Sequence, residues 1–430
     1  MPLRINYNDI NFGDDFQSLL ETTREVDYNI NAAVAGIIGD VRSEGDKALI
    51  DYTYRFDGID LNTCNLLVSQ DEIEAAYSQC DPSFIDALIF AYDRIKSFHE
   101  HQVPNDLKYV DSAGVSLGYR WTPIREVGLY VPSGLASYPS SLLMNVIPAL
   151  VAGAERIVIC SPLKDGIRSE LVLAAAKICG MSEIYRVGGA QAIAAMAYGT
   201  KSIKSVSKIA GPGNKYVAEA KRQVFGQVGI DNIAGPSEIL VVADRNNNPT
   251  WIAIDLMSQA EHDPSAQAIL ITDDEMFANE VLSEIDKCLL TLPRKKIASA
   301  SWNDFGAIII VPNLSDALPL IDAIAPEHLE LAVENPSEFS IRVKNAGAIF
   351  LGRHTPEAVG DYVAGPNHVL PTARTARFSS GLGVFDFMKR TSLIECDSNS
   401  LDVIGDSIIK LAEAEGLGAH ALSVSRRLTR

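Results

Sequence analysis

From about residue 127 onward the chain alternates short β-branched runs with alanine-rich helical stretches, and no other feature restricts its fold as much. The runs fall at 156–160, 183–187, 206–210, 238–243, 268–272, 307–311 and 348–351. Helical segments at 170–179, 190–198, 215–225 and 251–261 lie between them. Strands separated by helices require right-handed crossovers and parallel sheets covered on both faces. A division near 231–237 gives one compact α/β unit at about 127–237 and another after it. A chain of 430 residues is long enough to bury two such cores.

The first 125 residues read as mainly helical. Val34, Ile37, Ile38, Val41, Ala48, Leu49 and Tyr52 recur at helical spacing over 31–56, with a break near Gly45. Ile85, Leu88, Ile89, Tyr92 and Ile95 repeat the pattern over 84–99. Beyond Ser379 the strand pattern fades, and 401–430 reads as a helical tail broken at Gly416 and Gly418.

The formal charge of −18 argues against a nucleic-acid or anionic-membrane partner, since both require a positive patch. Met1-Pro-Leu-Arg-Ile-Asn lacks the basic and apolar regions of a secretory signal, and no run of about 18 apolar residues would span a bilayer. Six scattered cysteines (Cys64, Cys80, Cys160, Cys179, Cys288, Cys396) form no Cys-x-x-Cys pair and read as reduced. These features point to a cytoplasmic protein.

Several segments carry residues with chemistry. Ile209-Ala-Gly211-Pro-Gly213-Asn214 runs from a strand through a glycine turn into a helix, a geometry that aims backbone N–H groups at an anion. Val187-Gly-Gly-Ala-Gln191 does the same. Neither completes Gly-x-Gly-x-x-Gly, and plain strand-to-helix turns would look alike. Gln259 and His262 share a helix face just before Pro264, where a metal can use an amide oxygen and an imidazole; a capping histidine is the alternative. Pro326-Glu327-His328 places an acid beside a base, as proton abstraction requires, although a helix start would read the same way. Gly360-Asp361 opens a stretch dense in turn residues, reading as an irregular loop with a hard oxygen ligand. Glu415 and His420 flank the glycine break of the tail. Gln259, His262, Asp361 and His420 together offer two nitrogen and two oxygen donors, a set suited to zinc or manganese.

Taken in order, Gly188-Gly-Ala-Gln-Ala-Ile, Ala210-Gly-Pro-Gly-Asn214, Ile230-Asp-Asn-Ile-Ala-Gly-Pro-Ser237-Glu, Gln259-Ala-Glu-His262-Asp, Ala325-Pro-Glu-His328-Leu, Gly365-Pro-Asn-His-Val-Leu-Pro and Phe378-Ser-Ser-Gly-Leu form one series. That series resembles the histidinol dehydrogenase family from about residue 25 to His420. The resemblance implies NAD-dependent oxidation of L-histidinol through L-histidinal to L-histidine, the last steps of histidine biosynthesis. It implies a zinc ion on Gln259, His262 and Asp361 of one subunit and His420 of the other, in a homodimer with shared sites. Glu327 and His328 match the acid–base pair. Ser237, Glu415, His328 and the metal ligands match substrate contacts, and Tyr130, Gln191 and Asn214 match NAD contacts.

Val131-Pro-Ser133-Gly-Leu135 and Pro371-Thr-Ala373-Arg374 depart from the commonest spelling of the family, away from the ligand set. Rival readings are a related dehydrogenase of another small alcohol, such as a sulfonated diol, and a zinc hydrolase that turns over without NAD.

The expected architecture is thus two Rossmann-like parallel-sheet domains without the standard glycine fingerprint, plus small helical extensions at both ends. The expected division is an N-terminal extension (1–25), a discontinuous first α/β domain (26–126 and 238–380) with the metal and catalytic residues, a second α/β domain (127–237) on the NAD side, and a helical tail (381–430) reaching the partner's site.

Overall fold

The computed structural model describes residues 2–22, 28–61, 65–132, 138–163, 167–233 and 235–428. Cys64 and the Ser133–Gly134–Leu135 spelling lie outside the described residues.

Two parallel sheets organise the chain. The first contains β4 (Glu126–Tyr130), β5 (Arg156–Cys160), β6 (Ile184–Tyr185), β7 (Lys208–Ala210) and β8 (Gly229–Ile230), in the order β6-β5-β4-β7-β8. Helices α6 (Pro139–Ala152), α7 (Ile167–Ile178), α8 (Gly189–Tyr198) and α9 (Lys215–Val224) make its crossovers. The second contains β9 (Glu238–Ala243), β10 (Gln267–Thr272), β11 (Ala307–Ile310), β12 (His328–Ala332) and β13 (Ala348–Leu351). Its crossovers and flanks are α10 (Pro249–Ala260), α11 (Glu275–Thr291), α12 (Lys295–Phe305), α13 (Ala317–Ile324), α14 (Pro336–Ser340) and α15 (Glu357–Tyr362). Every residue of β9, β10, β11 and β12 is buried, which is why these strands read as apolar runs without alternation.

Both sheets are wound alike. The chain steps outward from a central strand, then crosses to the other side: β4, β5, β6, then β7, β8, and likewise β9, β10, β11, then β12, β13. Each therefore has a topological switch point, between β4 and β7 in one sheet and between β9 and β12 in the other.

The N-terminal extension is not wholly helical. β1 (Leu3–Asn6) joins the second sheet as an edge strand parallel to β11, and α1 (Phe12–Glu21) follows it. Next come α2 (Tyr28–Glu44), α3 (Asp46–Asp57), α4 (Gln70–Gln79) and α5 (Pro82–Glu100). Gly45, at φ 61°, separates α2 from α3, a backbone turn that glycine makes without steric cost.

These four helices pack on the first sheet, not the second. Val34, Ile37 and Leu49 join Ile193, Met196 and Val217 in one core, while Ile73, Leu88 and Ile95 join Leu142, Leu143 and Val172 in another. The grouping of 26–126 with 238–380 does not describe this packing: an amphipathic helix advertises a buried face but not the surface that covers it. Gly128 in β4 admits α8, since a Cβ there would sit 2.6 Å from Met196 Sδ.

A third sheet is antiparallel, in the order β14-β3-β2, from β2 (Leu107–Val110), β3 (Ser116–Pro123) and β14 (Met388–Glu395). The strand pattern thus does not end at Ser379, and the tail helices α16 (Ser398–Ala414) and α17 (Gly418–Ser425) follow a full strand. Among the described residues no helix is long and apolar enough to cross a membrane.

Candidate functional site

His328 opens a strand, with Glu327 in the bend just before it, rather than a helix start. Ala325 caps α13 at φ 47°, in the left-handed region that an alanine enters at a cost of about 1–2 kcal/mol. Pro326 then turns the chain into β12, with His328 as its first residue. Along β12, Leu329 and Leu331 face one core. His328, Glu330 and Ala332 therefore face the opposite side, toward α10 and α15.

Glu238, the first residue of β9, holds both acid–base candidates with its backbone. Its N–H donates to Glu327 Oε2 at 2.9 Å, and its carbonyl lies 2.9 Å from His328 Nδ1. A carbonyl only accepts, so Nδ1 carries the proton and Nε2 keeps its lone pair. That Nε2 is buried and meets no hydrogen-bond partner. Burial lowers the His328 pKa to about 4; the Asp361 carboxylate pulls it upward and His262 pushes it further down.

Two helices present paired side chains to this strand face. On α10, Asp255 and Gln259 stand one turn apart, and His262 lies just past its end. Gln259 is fully buried, with neither amide atom hydrogen-bonded. On α15, Glu357 and Asp361 stand one turn apart. Gly360-Asp361 thus belongs to a short helix, not an irregular loop, and the loop begins only at Val363. Gly360 permits this close packing, because a Cβ there would meet Phe350 at 2.6 Å. His328, Glu357 and Asp361 offer ligand atoms all within 4.8 Å of one another.

Glu330 pins the start of α15 by accepting from Glu357 N–H at 2.6 Å. It is also hydrogen-bonded to Asp255, which requires a proton between the two carboxyls, and burial pushes Asp255 up to about 6. His368 Nδ1 donates to the Asp361 carbonyl at 2.9 Å, leaving its Nε2 to accept from Ser141 Oγ at 3.1 Å on α6. Ser237 immediately precedes β9, half-buried beside this cluster. Sequence reasoning did not single out Glu238, Glu330, Glu357, Asp255 or His368 as site residues. The i, i+4 spacings 255/259 and 357/361 and the i, i+2 spacing 328/330 were the signals available.

The cofactor candidates gather at the carboxyl edge of the first sheet. Tyr130 ends β4, Asn214 caps α9 beyond β7, and Gln191 lies in the first turn of α8 beyond β6. Tyr130 Oη accepts from Gly189 N–H at 3.1 Å. Gly211, at φ 114°, passes so close to β4 that a Cβ would lie 2.1 Å from the Tyr130 carbonyl. Gln191 is fully buried with both amide atoms unpartnered.

A buried ion pair, Lys221–Asp231, underlies this turn, with side chains 2% and 3% exposed. Lys221 Nζ donates to the carbonyls of Gly211 (3.1 Å) and Asn232 (2.8 Å), and Asp231 accepts from Gly211 N–H at 2.7 Å.

The two sites are joined by the segments that cross between the sheets. Asn232 Nδ2 donates to Ser380 O at 2.8 Å, Gly235 N–H to Thr372 Oγ1, and Ala373 N–H to Glu238 Oε1 at 3.1 Å. Ala373 and Arg374 adopt positive φ here (51° and 63°), in the segment whose spelling departs from the commonest one.

At the second switch point an ion pair and a hydrogen bond stand where an open sheet usually takes its ligand. Arg353 Nη2 lies 2.6 Å from Asp244 Oδ2 there, and Asn247 Nδ2 donates to Ala332 O at 2.6 Å. The chemistry of that sheet lies at the amino ends of its strands instead. Glu415 and His420 are exposed on the α16–α17 tail and are not brought to Gln259, His262 and Asp361 within this chain.

The family model described as histidinol dehydrogenase matches residues 20–428. A histidinol dehydrogenase of Mesorhizobium japonicum is 59% identical over 428 residues, covering 100% of both chains. One from Rhodospirillum rubrum is 59% identical over 431 residues, covering 100% of this chain and 99% of the relative. The crystal structure of histidinol dehydrogenase from Elizabethkingia anophelis superposes with a TM-score of 0.94 at 37% identity, over 99% of this chain and 98% of that one.

Proposed function

The chain belongs to the histidinol dehydrogenase family, oxidoreductases of histidine biosynthesis, and from that premise we propose how its residues carry the reaction. The reading is NAD-dependent oxidation of L-histidinol through L-histidinal to L-histidine at a zinc centre. The observation that carries it is the Glu238 backbone, which holds Glu327 by its N–H and His328 by its carbonyl and so aims a neutral imidazole nitrogen into a buried polar cluster.

The residues fit a divalent cation. Gln259 has a buried amide without partners, His262 and Asp361 lie close enough to shift the His328 pKa, and the donor set is mixed nitrogen and oxygen. Gln259, His262 and Asp361 would hold the metal with His420 of a second copy. When bound, the metal orients the substrate amine and imidazole, and NAD+ takes up the hydride.

In the first step His328 Nε2 accepts the hydroxyl proton as the carbon–hydrogen bond breaks. His328 then gives this proton up to solvent. In the second step Glu327 takes a proton from the water that adds to the aldehyde, the neutral His328 takes one from the resulting hydrate, and the hydride passes to a second NAD+. Neither Cys160 nor Cys179 enters: both are buried, and burial pushes both thiols far up, away from the thiolate a covalent route needs. Ser237 and Glu415 complete the substrate contacts, and Tyr130, Gln191 and Asn214 hold the nucleotide. Full-length relatives that share the name histidinol dehydrogenase favour this substrate over another small alcohol and favour redox chemistry over hydrolysis.

Apolar exposure supports a homodimer. Val110 (65% exposed) and Ile394 (74%) lie on the third sheet and Leu411 (66%) on α16, the tail helix that Glu415 caps and that leads into α17 with the exposed His420. A second copy covering these elements would complete each site. The reading carries a cytosolic setting, in keeping with free cysteines among the described residues.

The test is NADH formation from L-histidinol and NAD+ before and after chelation. Zinc-restorable turnover with roughly two NADH per histidine agrees with the reading, and folded, zinc-loaded protein inert toward histidinol overturns it. Glu327→Gln should slow oxidation of added histidinal by about 10²-fold or more while slowing histidinol oxidation less. Equal losses in both steps would reject this division of labour. Mixing His420→Asn and Glu327→Gln subunits should restore some activity through crossed sites, and no recovery would place each site within one chain.

A further inference from the structure

Glu357 does not belong to the four-residue ligand set that the family resemblance supplies, and its surroundings are unusual. It opens α15 and is 2% exposed, yet neither carboxylate oxygen receives a hydrogen bond. His328 Nδ1 lies 3.5 Å from Oε1, but its hydrogen is directed to the Glu238 carbonyl. The groups facing Glu357 from β12, the bend before it and α10 are acidic as well: Glu330, Glu327 and Asp255 all bear on it, as does Asp361 from its own helix. Buried polar groups are ordinarily hydrogen-bonded and buried charges paired, so a carboxylate left like this marks a missing partner.

The geometry fixes where that partner sits. The bond from Glu357 N–H to Glu330 anchors the helix start, and the i, i+4 spacing aims Glu357 and Asp361 from the same face of α15. The ligand atoms of His328, Glu357 and Asp361 converge within 4.8 Å. Gln259, which faces the same strand, also has its buried amide unpartnered. Charge gives the same answer. A divalent cation on a neutral amide, neutral imidazoles and one aspartate keeps a net positive charge, which is costly beside the buried Gln259, His328 and Glu357.

Resting on the metal-dependent reading above, we propose that Glu357 is an acidic member of the metal centre, whose carboxylate faces the cation and neutralises the charge that Asp361 leaves uncompensated. Glu357 and the cation then satisfy each other: the cation gives the buried carboxylate its missing partner, and the carboxylate tightens metal binding.

The experiment measures zinc binding directly on the metal-free, full-length protein by competition with a chromophoric chelator, alongside thermal unfolding of the metal-free form. Glu357→Gln should weaken zinc binding at least about tenfold, the scale on which groups supporting metal ligands act. It should also leave the metal-free protein as stable as the wild type or more so, because burial and the acidic neighbours disfavour a charge at this position and a neutral amide carries none. Glu357→Asp, which keeps the charge, should fall between the two in zinc affinity. Unchanged zinc affinity in Glu357→Gln overturns the inference and leaves the metal reading standing. Loss of metal-free stability in step with affinity also overturns it, since that marks a structural role. Wild-type protein that takes up no zinc overturns the metal reading beneath it.

Discussion

His328→Asn should lower kcat for histidinol oxidation by about 10²–10⁴-fold, the usual scale of a lost general base, and leave the fold intact. The Asn amide can still donate toward the Glu238 carbonyl that now receives Nδ1–H, so the strand start keeps its anchor. What disappears is the unpartnered Nε2 lone pair. Steady-state kinetics on variant protein with an unchanged unfolding transition checks this, and retention of more than about a tenth of wild-type kcat would remove His328 from the mechanism. The same substitution has a pH signature. Burial lowers the folded-state pKa from 6.5 to about 4, so between those values the unfolded chain binds the extra proton. Stability from this group is therefore present above pH 6.5 and is lost as pH falls toward 4. The Asn variant should lose that part of the acid sensitivity, and an identical pH dependence in both proteins would contradict it.

Lys221→Met should destabilise the protein by about 3–5 kcal/mol, the cost of stranding one partner of a buried ion pair. Burial already raises the Asp231 carboxyl even with Lys221 beside it. Removing the ammonium leaves that carboxylate uncompensated and also frees the carbonyls of Gly211 and Asn232. Gly211 follows β7 in the turn that leads to Asn214, and Asn232 begins the crossing to the second sheet. The KM for NAD+ should therefore rise more than kcat falls. A lower urea midpoint at unchanged slope measures the stability loss, and the paired change Lys221→Met with Asp231→Asn should recover part of it. A single variant as stable as the wild type would show that the pair is spectator chemistry.

Much of this arrangement was legible from local pattern. The apolar runs at 238–243 and 348–351 coincide with β9 and β13, and the break near Gly45 separates α2 from α3. The misreadings share a cause: each concerns a segment whose state is set by distant contacts. β12 begins after Pro326, and proline suits a helix start as well as an entry to a strand; the alternation of His328, Leu329, Glu330 and Leu331 decides it only once Leu329 and Leu331 have a core to enter. β14 is a strand because β3, far away in sequence, pairs with it along its full length. α15 has six residues, too few for periodicity to show. The buried state of Lys221 was hidden because it sits in a helix of low apolar content, and only the fold brings Asp231 beneath the glycine turn.

The two sheets share one winding order but are used at opposite edges, the carboxyl edge by the nucleotide candidates and the amino edge by the acid–base and metal candidates. A four-electron oxidation must release one reduced nucleotide and admit a fresh one while a reactive aldehyde waits. On the proposed assignment of the two sites, separate sheets would hold the two ligands, so that the nucleotide could come and go at its own sheet without loosening the other's hold. The midpoint of turnover would then be a change of courier rather than a release of cargo, keeping the aldehyde from escaping into a cell full of amines.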